Sequence, residues 1–216
     1  MLVRLKSGLG IAIPPIFPWE SRNASLLKIR SAGAFHPDHI TTRLCLQLLD
    51  SDLSDGTCRS LLDVGCGSGI LGLTAARLGV PCVVGFDIDI RAVRNSIRNA
   101  ETNHLGRSSH WFVGTSEVVA GNFDCVVANL PYDLICGILG DLSRLINCGG
   151  KLILSGFQDI NWGPLSTLLA NLGLTVKQLL SGDRSFYGIP PSGSFTWMAV
   201  LSASASAEDC RNKEGL

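Results

Sequence analysis

Leu61-Leu62-Asp63-Val64-Gly65-Cys66-Gly67-Ser68-Gly69-Ile70-Leu71 is the stretch that decides the fold. A short apolar run ends in an acid, three glycines follow at alternate positions, and a helical apolar pattern begins at Ile70. That order predicts a strand, a tight turn and a helix N-terminus. Gly65, Gly67 and Gly69 let the backbone bend sharply and let a ligand approach without meeting a Cβ. The unpaired N–H groups and the positive dipole end of the helix favour a polar or anionic ligand group. A glycine-rich turn alone is a common way to join a strand to a helix, so the spacing to the next acid carries the weight. Gly85-Phe86-Asp87 closes a second apolar run, and an acid roughly twenty residues on accepts hydrogen bonds from ribose hydroxyls in nucleotide-binding βαβ units.

Outward from this stretch, strands and helices alternate. Residues 60–64, 82–86, 110–113, 123–128, 151–155, 174–180 and 194–201 read as strands, and 70–78, 89–100, 133–146 and 164–172 as helices. Helix 89–100 is expected to turn Ile90, Val93, Ile97 and Ala100 inward, and Gly149-Gly150 to form a turn. The run 123–128 is apolar on both faces, as a central parallel strand is. The alternation predicts a doubly wound α/β sheet with right-handed crossovers. The last two strands have no helix between them and are expected to pair antiparallel. Upstream, a polar loop leads into a helix capped by Thr41 or Thr42, with Leu44, Leu48 and Leu49 on its apolar face. Residues 1–30 read as an N-terminal extension, irregular over 1–26, in which Pro14, Pro15 and Pro18 forbid a helix and Phe17 and Trp19 pack on the main body or on a partner. The domain proper is expected over 31–202, with a long loop at 182–193 and a flexible tail at 203–216.

The bulk numbers narrow the class. With 216 residues, 46% hydrophobic and 17% charged, the chain fits one compact domain with a well-buried sheet. Mean hydropathy is +0.29, yet Arg, Asp, Pro or Gly interrupts every apolar run before membrane-spanning length, and the first thirty residues carry no apolar block with a small-residue cleavage site. Cytoplasm is the resulting expectation, with no membrane partner. Formal net charge is zero, so the electrostatic footprint of a duplex-binding protein is absent. The eight cysteines form no C-x-x-C, and the four histidines form no ligand pattern with them; no metal is expected, and the cysteines are read as reduced core residues.

Three stretches together carry a resemblance: Asp63 to Leu71, then Gly85-Phe86-Asp87-Ile88-Asp89, then Val126-Val127-Ala128-Asn129. They are similar to the S-adenosylmethionine-dependent class I methyltransferases, and more narrowly to the ribosomal-protein methyltransferases of the PrmA type. His39-Ile40-Thr41-Thr42, Gly149 to Gly156, and Phe195 to Val200 resemble that family's entry to the first helix, its fifth-strand segment and its closing strand. The resemblance implies a seven-stranded sheet, mostly parallel with a C-terminal antiparallel hairpin, and S-adenosylmethionine as cofactor. It also implies methyl transfer to an amine nitrogen of a protein substrate. By matching position it assigns cofactor contacts to Thr42, Gly65, Asp87 and Asn129. The chemistry of the residues adds Gly67 and Gly69 in the loop, Asp63 for the ligand ammonium and Ile88 for packing on adenine.

Departures from the family go with the match. Its members carry an N-terminal recognition domain where this chain offers about twenty-five residues, too few to fold alone, so the ribosomal stalk protein is not the inferred substrate. Gly114-Thr115 stands where Gly-Asp is expected after the third strand. Asn129-Leu130-Pro131-Tyr132 instead resembles methyltransferases acting on adenine amino groups. There the Asn side chain and the next carbonyl accept hydrogen bonds from the target nitrogen, and the aromatic ring stacks on a planar substrate. Asn129 and Tyr132 are therefore the catalytic candidates, Asp133 is a proton acceptor to test, and no dedicated general base is evident. The alternatives to a protein amine are a nucleic-acid base amino group, a small molecule, or a non-catalytic module that only holds the cofactor. A nicotinamide enzyme wants G-x-G-x-x-G, which the spacing of Gly65, Gly67 and Gly69 does not supply. Oligomeric state is not legible.

Overall fold

The computed structural model describes residues 2–13, 26–31, 37–182 and 196–205. In order they form β1 (Leu2–Arg4), β2 (Gly10–Ala12), β3 (Leu26–Lys28), α1 (Ile40–Asp52), β4 (Ser60–Val64), α2 (Ile70–Arg77), β5 (Cys82–Asp87), α3 (Ile90–Thr102), β6 (Ser109–Val113), β7 (Phe123–Asn129), α4 (Tyr132–Arg144), β8 (Ile146–Gln158), α5 (Asp159–Asn171), β9 (Thr175–Gly182) and β10 (Trp197–Ala203). The main sheet runs β6-β5-β4-β7-β8-β10-β9. The pairs β4–β5, β5–β6, β4–β7 and β7–β8 are parallel, while β10 runs antiparallel to both β8 and β9. This is the predicted doubly wound sheet with its closing hairpin.

Alternation along the central strands divides the core in two. Leu61, Cys125, Val127 and Ile153 face one apolar cluster with residues of α1 and α2, and Leu62, Val126, Ala128 and Leu154 face the other with α4 and α5. Strands covered on both faces need apolar side chains at every position, which is why 123–128 reads as a continuous run. Chain order reverses at β4, whose neighbours are β5 and β7, so the carboxyl ends of these three strands meet at the switch point where open α/β sheets bind ligands.

Several expectations fail, each for a local reason. The extension 1–30 is not irregular throughout: β1 pairs antiparallel with β2, and β2 parallel with β3. Ile11, Leu27 and Ile29 are fully buried in the first core cluster. Strands of three residues are too short for a period-2 signal to register. The proline-rich segment with Phe17 and Trp19 lies outside the described residues, as do 183–195 of the long loop.

Helix α3 buries Val93 and Ala100 as expected, but its buried face is wider and displaced: Ile90 and Ile97 are 46% and 37% exposed, while Asn95, Asn99 and Asn103 are buried. These asparagines recur every four residues and present their amides to β3 and the chain beyond it. Lys28 N donates to Asn103 Oδ1 at 2.8 Å and Asn103 Nδ2 donates back to the Lys28 carbonyl at 2.7 Å. Arg30 N donates to Asn99 Oδ1 at 3.0 Å, and both Asn99 and Asn95 donate to the Arg30 carbonyl. An amide imitates a strand partner, so the polar stripe is fully paid by hydrogen bonds and burial is tolerated.

Gly149-Gly150 does not end an element but lies inside β8, where three extra residues bulge between the Phe123–Ile146 and Cys125–Lys151 pairings. The tail also starts later than expected. Ala203 closes β10, Ser204 N donates to the Gly150 carbonyl at 3.0 Å, and Gly149 N donates to the Ala205 carbonyl at 2.6 Å. Residues 206–216 lie outside the described set. Helix α5 begins at Asp159, well before Pro164, with Gln158 N donating to Asn161 Oδ1 at 3.1 Å; the proline sits inside the helix rather than opening it. The cap of α1 is His39, whose Nδ1 accepts from Thr41 N, and not either threonine. Six described cysteines are free, but Cys148 is disulfide-bonded, so the fully reduced set is not what forms.

Candidate active site

Asp63 and Val64 end β4 and the chain turns through Gly65, Gly67 and Gly69, all at positive φ, into α2. Cys66 N donates to the Phe86 carbonyl at 2.9 Å, tying the turn to the end of β5. A Cβ at Gly65 would stand 2.5 Å from Leu130 Cδ2. Glycine at 65 suits the positive φ of the turn, and any larger residue would also have to push the Leu130 side chain aside.

Asp87 closes β5 and spans the site. Its Oδ2 accepts from Gly67 N at 3.0 Å and its Oδ1 from Asp89 N at 3.0 Å. Each oxygen of a carboxylate offers about two acceptor positions, so each keeps capacity for a ligand hydroxyl. Asp89 caps α3 through Arg91 N and pairs with the Arg91 guanidinium, which holds its carboxyl below the usual range.

Across the cavity, Asn129 ends β7. Its Nδ2 donates to Thr42 Oγ1 at 3.1 Å, which occupies the amide's donor side and turns the carbonyl oxygen away from Thr42. Leu130 N donates to the Ser155 carbonyl at 3.0 Å. Gly156, at φ +101°, lies so close beneath Leu130 that a Cβ there would fall 2.0 Å from the Leu130 carbonyl oxygen. Gly156→Ala is expected to cost at least about 2 kcal/mol of stability from strain and overlap together. A melting temperature equal to the parent's would show that this approach is not tight.

These elements enclose a cavity of about 450 Å³ lined by His39, Thr41, Gly65, Gly67, Asp87, Asp89, Ala92, Asn129, Leu130, Pro131, Gly156 and Trp197. His39 meets the Trp197 ring edge-on at 5.2 Å. Of the residues singled out from the sequence, Gly65, Gly67, Asp87 and Asn129 converge on this wall. Thr42 stands behind Asn129, and Thr41 lines the cavity in its place. Gly69 backs onto Ser96 and Trp111. Ile88 is 78% exposed beside Asp87 and is not part of the lining. Tyr132 opens α4 and packs on the second core cluster; its hydroxyl bonds to Cys136, which holds the phenol above its ordinary pKa. The aromatic platform expected in the cavity is therefore not on its wall. Asp133 is exposed in the first turn of α4. His39, Gly156 and Trp197 lie in stretches that carry the resemblance but take no role from the sequence; sheet order and the α1 cap bring them into the cavity.

Asp63 does not reach the cavity. It is 1% exposed, and its Oδ2 accepts from Gly72 N at 2.9 Å, satisfying a free N–H in the first turn of α2. Burial pushes its carboxyl up from 3.8 to about 7, the Gly72 N–H opposes the rise, and the charge on Asp87 adds to it. A pKa raised in the folded state contributes stability that is complete below the unfolded value and is lost as pH climbs through the folded one. Relative to Asp63→Asn, the native chain should thus lose stability between pH 4 and 7, then run parallel. Urea midpoints of the two proteins across that range check it, and a constant difference would refute the buried-acid reading. Burial also raises the Cys66 thiol inside the motif, making it a packing group rather than a nucleophile. Among the described residues no group of His, Cys, Asp and Glu can hold a metal ion.

Comparison with known proteins agrees with this architecture. The ribosomal protein L11 methyltransferase of Cupriavidus taiwanensis is 43% identical over 154 residues, covering 71% of this chain and 50% of its own. The solved ribosomal protein L11 methylase of Lactobacillus delbrueckii subsp. bulgaricus superposes with a TM-score of 0.73 at 20% identity, over 94% of each chain. The magnesium protoporphyrin IX methyltransferase of Synechocystis, solved with bound SAM, superposes with a TM-score of 0.60 at 18% identity, over 77% of this chain and 85% of its own; both show the shared fold. The chain spans about half the length, or less, of the curated relatives it matches. The family model "Ribosomal protein L11 methyltransferase (PrmA)" matches residues 18–179, the span that holds β4, Asp87 and Asn129, and the chain belongs to that family.

Proposed function

We propose that this chain is an S-adenosylmethionine-dependent methyltransferase acting on an amine nitrogen of a protein. The observation that carries the reading is the pairing of two oriented acceptors across one cavity: Asp87, anchored by Gly67 N and Asp89 N, and Asn129, locked by Thr42. The residues fit the cofactor. Asp87 would hold the ribose hydroxyls, the backbone at Gly65 and Gly67 would lie against the amino-acid portion, and exposed Ile88, next in the chain, would gain cover from the base. When bound, the cofactor supplies an activated methyl group on a sulfonium centre.

The protein's part is positioning. Asn129 Oδ1 and the Leu130 carbonyl accept hydrogen bonds from the acceptor amine and point its lone pair, and Pro131, with its φ fixed, keeps that connection stiff. An amide oxygen takes no proton, so the amine reacts as the free base and sheds its proton after transfer. A base-amino acceptor is the reading favoured by Asn129-Leu130-Pro131-Tyr132. The position of Tyr132 off the wall and the zero net charge weigh against it. No helix among the described residues is long and apolar enough to cross a membrane. The proposed site of action is the cytoplasm, which rests on the family's protein acceptors.

The test is a calorimetric titration with S-adenosylmethionine and NAD in parallel, followed by labelled-methyl transfer into fractionated lysate. Binding of the sulfonium compound alone with label in protein is the expected result. Label in RNA, or binding without transfer to any fraction, overturns the protein-amine reading.

A further inference from the structure

The buried amide of Asn99 makes contacts on two sides at once. It is 1% exposed and sits in the middle of the asparagine stripe of α3. Toward the N-terminal sheet, its Oδ1 accepts from Arg30 N at 3.0 Å and its Nδ2 donates to the Arg30 carbonyl at 3.0 Å. Toward the cavity, the same Nδ2 donates to the Ser68 carbonyl at 2.8 Å, in the middle of the glycine turn. Ser96 Oγ, one turn earlier, donates to the Gly67 carbonyl at 3.3 Å. The side-chain amide of Asn103, one turn later, bonds Lys28 and its own helix and does not reach the glycine turn.

One side chain therefore joins the chain just past β3 to the glycine turn. Ser68 lies in that turn between Gly67, which lines the cavity, and Gly69. We propose that Asn99 is a positioning residue that locks the N-terminal strand to the glycine turn, so that the small sheet β1–β3 braces the turn that lines the cofactor site from behind. Three hydrogen bonds on one buried amide make the lock costly to open: breaking either side leaves buried polar groups unpaired. The turn has three residues at positive φ and few side chains of its own to hold it, so its resting shape depends on tethers such as this one and Asp87.

The inference rests on the cofactor reading of the cavity, and the two are tested separately. Amide hydrogen exchange is measured on the ligand-free chain for the parent, Asn99→Ala and Asn103→Ala. The alanine at 103 removes another buried amide from the same stripe without touching the glycine turn. Exchange at Gly67 and Gly69 should quicken about tenfold in Asn99→Ala and stay within about twofold of the parent in Asn103→Ala, the size expected for one lost buried hydrogen bond. Affinity for S-adenosylmethionine should fall about tenfold in the first variant only. If Asn99→Ala does not fold, urea-dependent exchange of the parent decides: Ile29, Arg30, Gly67 and Gly69 should open together with one denaturant slope. Unchanged exchange at Gly67 and Gly69 in Asn99→Ala, equal effects of the two variants on that turn, or separate slopes in the parent would overturn the lock. A chain that binds no sulfonium ligand would sink the cofactor reading instead, leaving the exchange result to stand on its own.

Discussion

Asp87→Ala is expected to weaken S-adenosylmethionine binding by at least about a hundredfold while the sheet stays folded. Two effects add. The carboxylate loses the charge-assisted bonds it would make to the ribose hydroxyls, each worth about 1.5–3 kcal/mol. It also releases Gly67 N and Asp89 N, so the glycine turn and the start of α3 are no longer held in register. The residue stands at the mouth of the sheet and belongs to neither core cluster, so melting should shift far less than affinity. Asp87→Asn separates the contributions: one oxygen still accepts, the charge is gone, and an intermediate loss of about tenfold follows. Calorimetry on the three proteins reads the series. Affinity unchanged in Asp87→Ala would mean that the ligand does not lie across the ends of β4 and β5.

The part of the site that was legible in the sequence is the part whose geometry is set by neighbours in the chain. The run Leu61 to Leu71 encodes strand, turn and helix in consecutive residues, and Asp87 and Asn129 follow from knowing that parallel strands bring their carboxyl ends together. What stayed hidden is set by contacts between distant segments. Trp197 reaches His39 only because β10 inserts between β8 and β9. The N-terminal sheet forms because asparagine amides on α3 stand in for a fourth strand. A hydrophobic-periodicity argument centres the buried side on Ile90, Val93, Ile97 and Ala100 and cannot see a buried polar stripe beyond Val93 and Ala100. Thr42 and Asp63 show a subtler gap: both were expected to touch the cofactor, yet neither lines the cavity, and each stands one layer back, the first on the Asn129 amide and the second on the Gly72 N–H. Residue type and spacing mark a neighbourhood, while the direction of a side chain depends on which nearby donor is buried and needs a partner.

Asn129→Ala should give the complementary pattern, a fall of about 10²–10³-fold in the rate of methyl transfer at saturating cofactor, with cofactor affinity within about threefold of the parent. The rate loss is the size seen when one preorganised polar group aimed at a reacting centre is removed. It follows from the amide being held rather than merely present. Its donor side is spent on Thr42 Oγ1, so its oxygen can point only one way, and Leu130, fixed by Ser155 and by the absence of a side chain at Gly156, supplies a second acceptor beside it. Thr42→Val keeps the shape of the threonine but removes the hydroxyl. The amide then turns freely, and the rate should drop about tenfold with binding unchanged. That order, alanine at 129 worse than valine at 42 and both silent in calorimetry, distinguishes an oriented amine acceptor from a simple cofactor contact. Were both substitutions to weaken binding in step with the rate, Asn129 would belong to the cofactor's grip, and the acceptor amine would have to be oriented from another wall of the cavity.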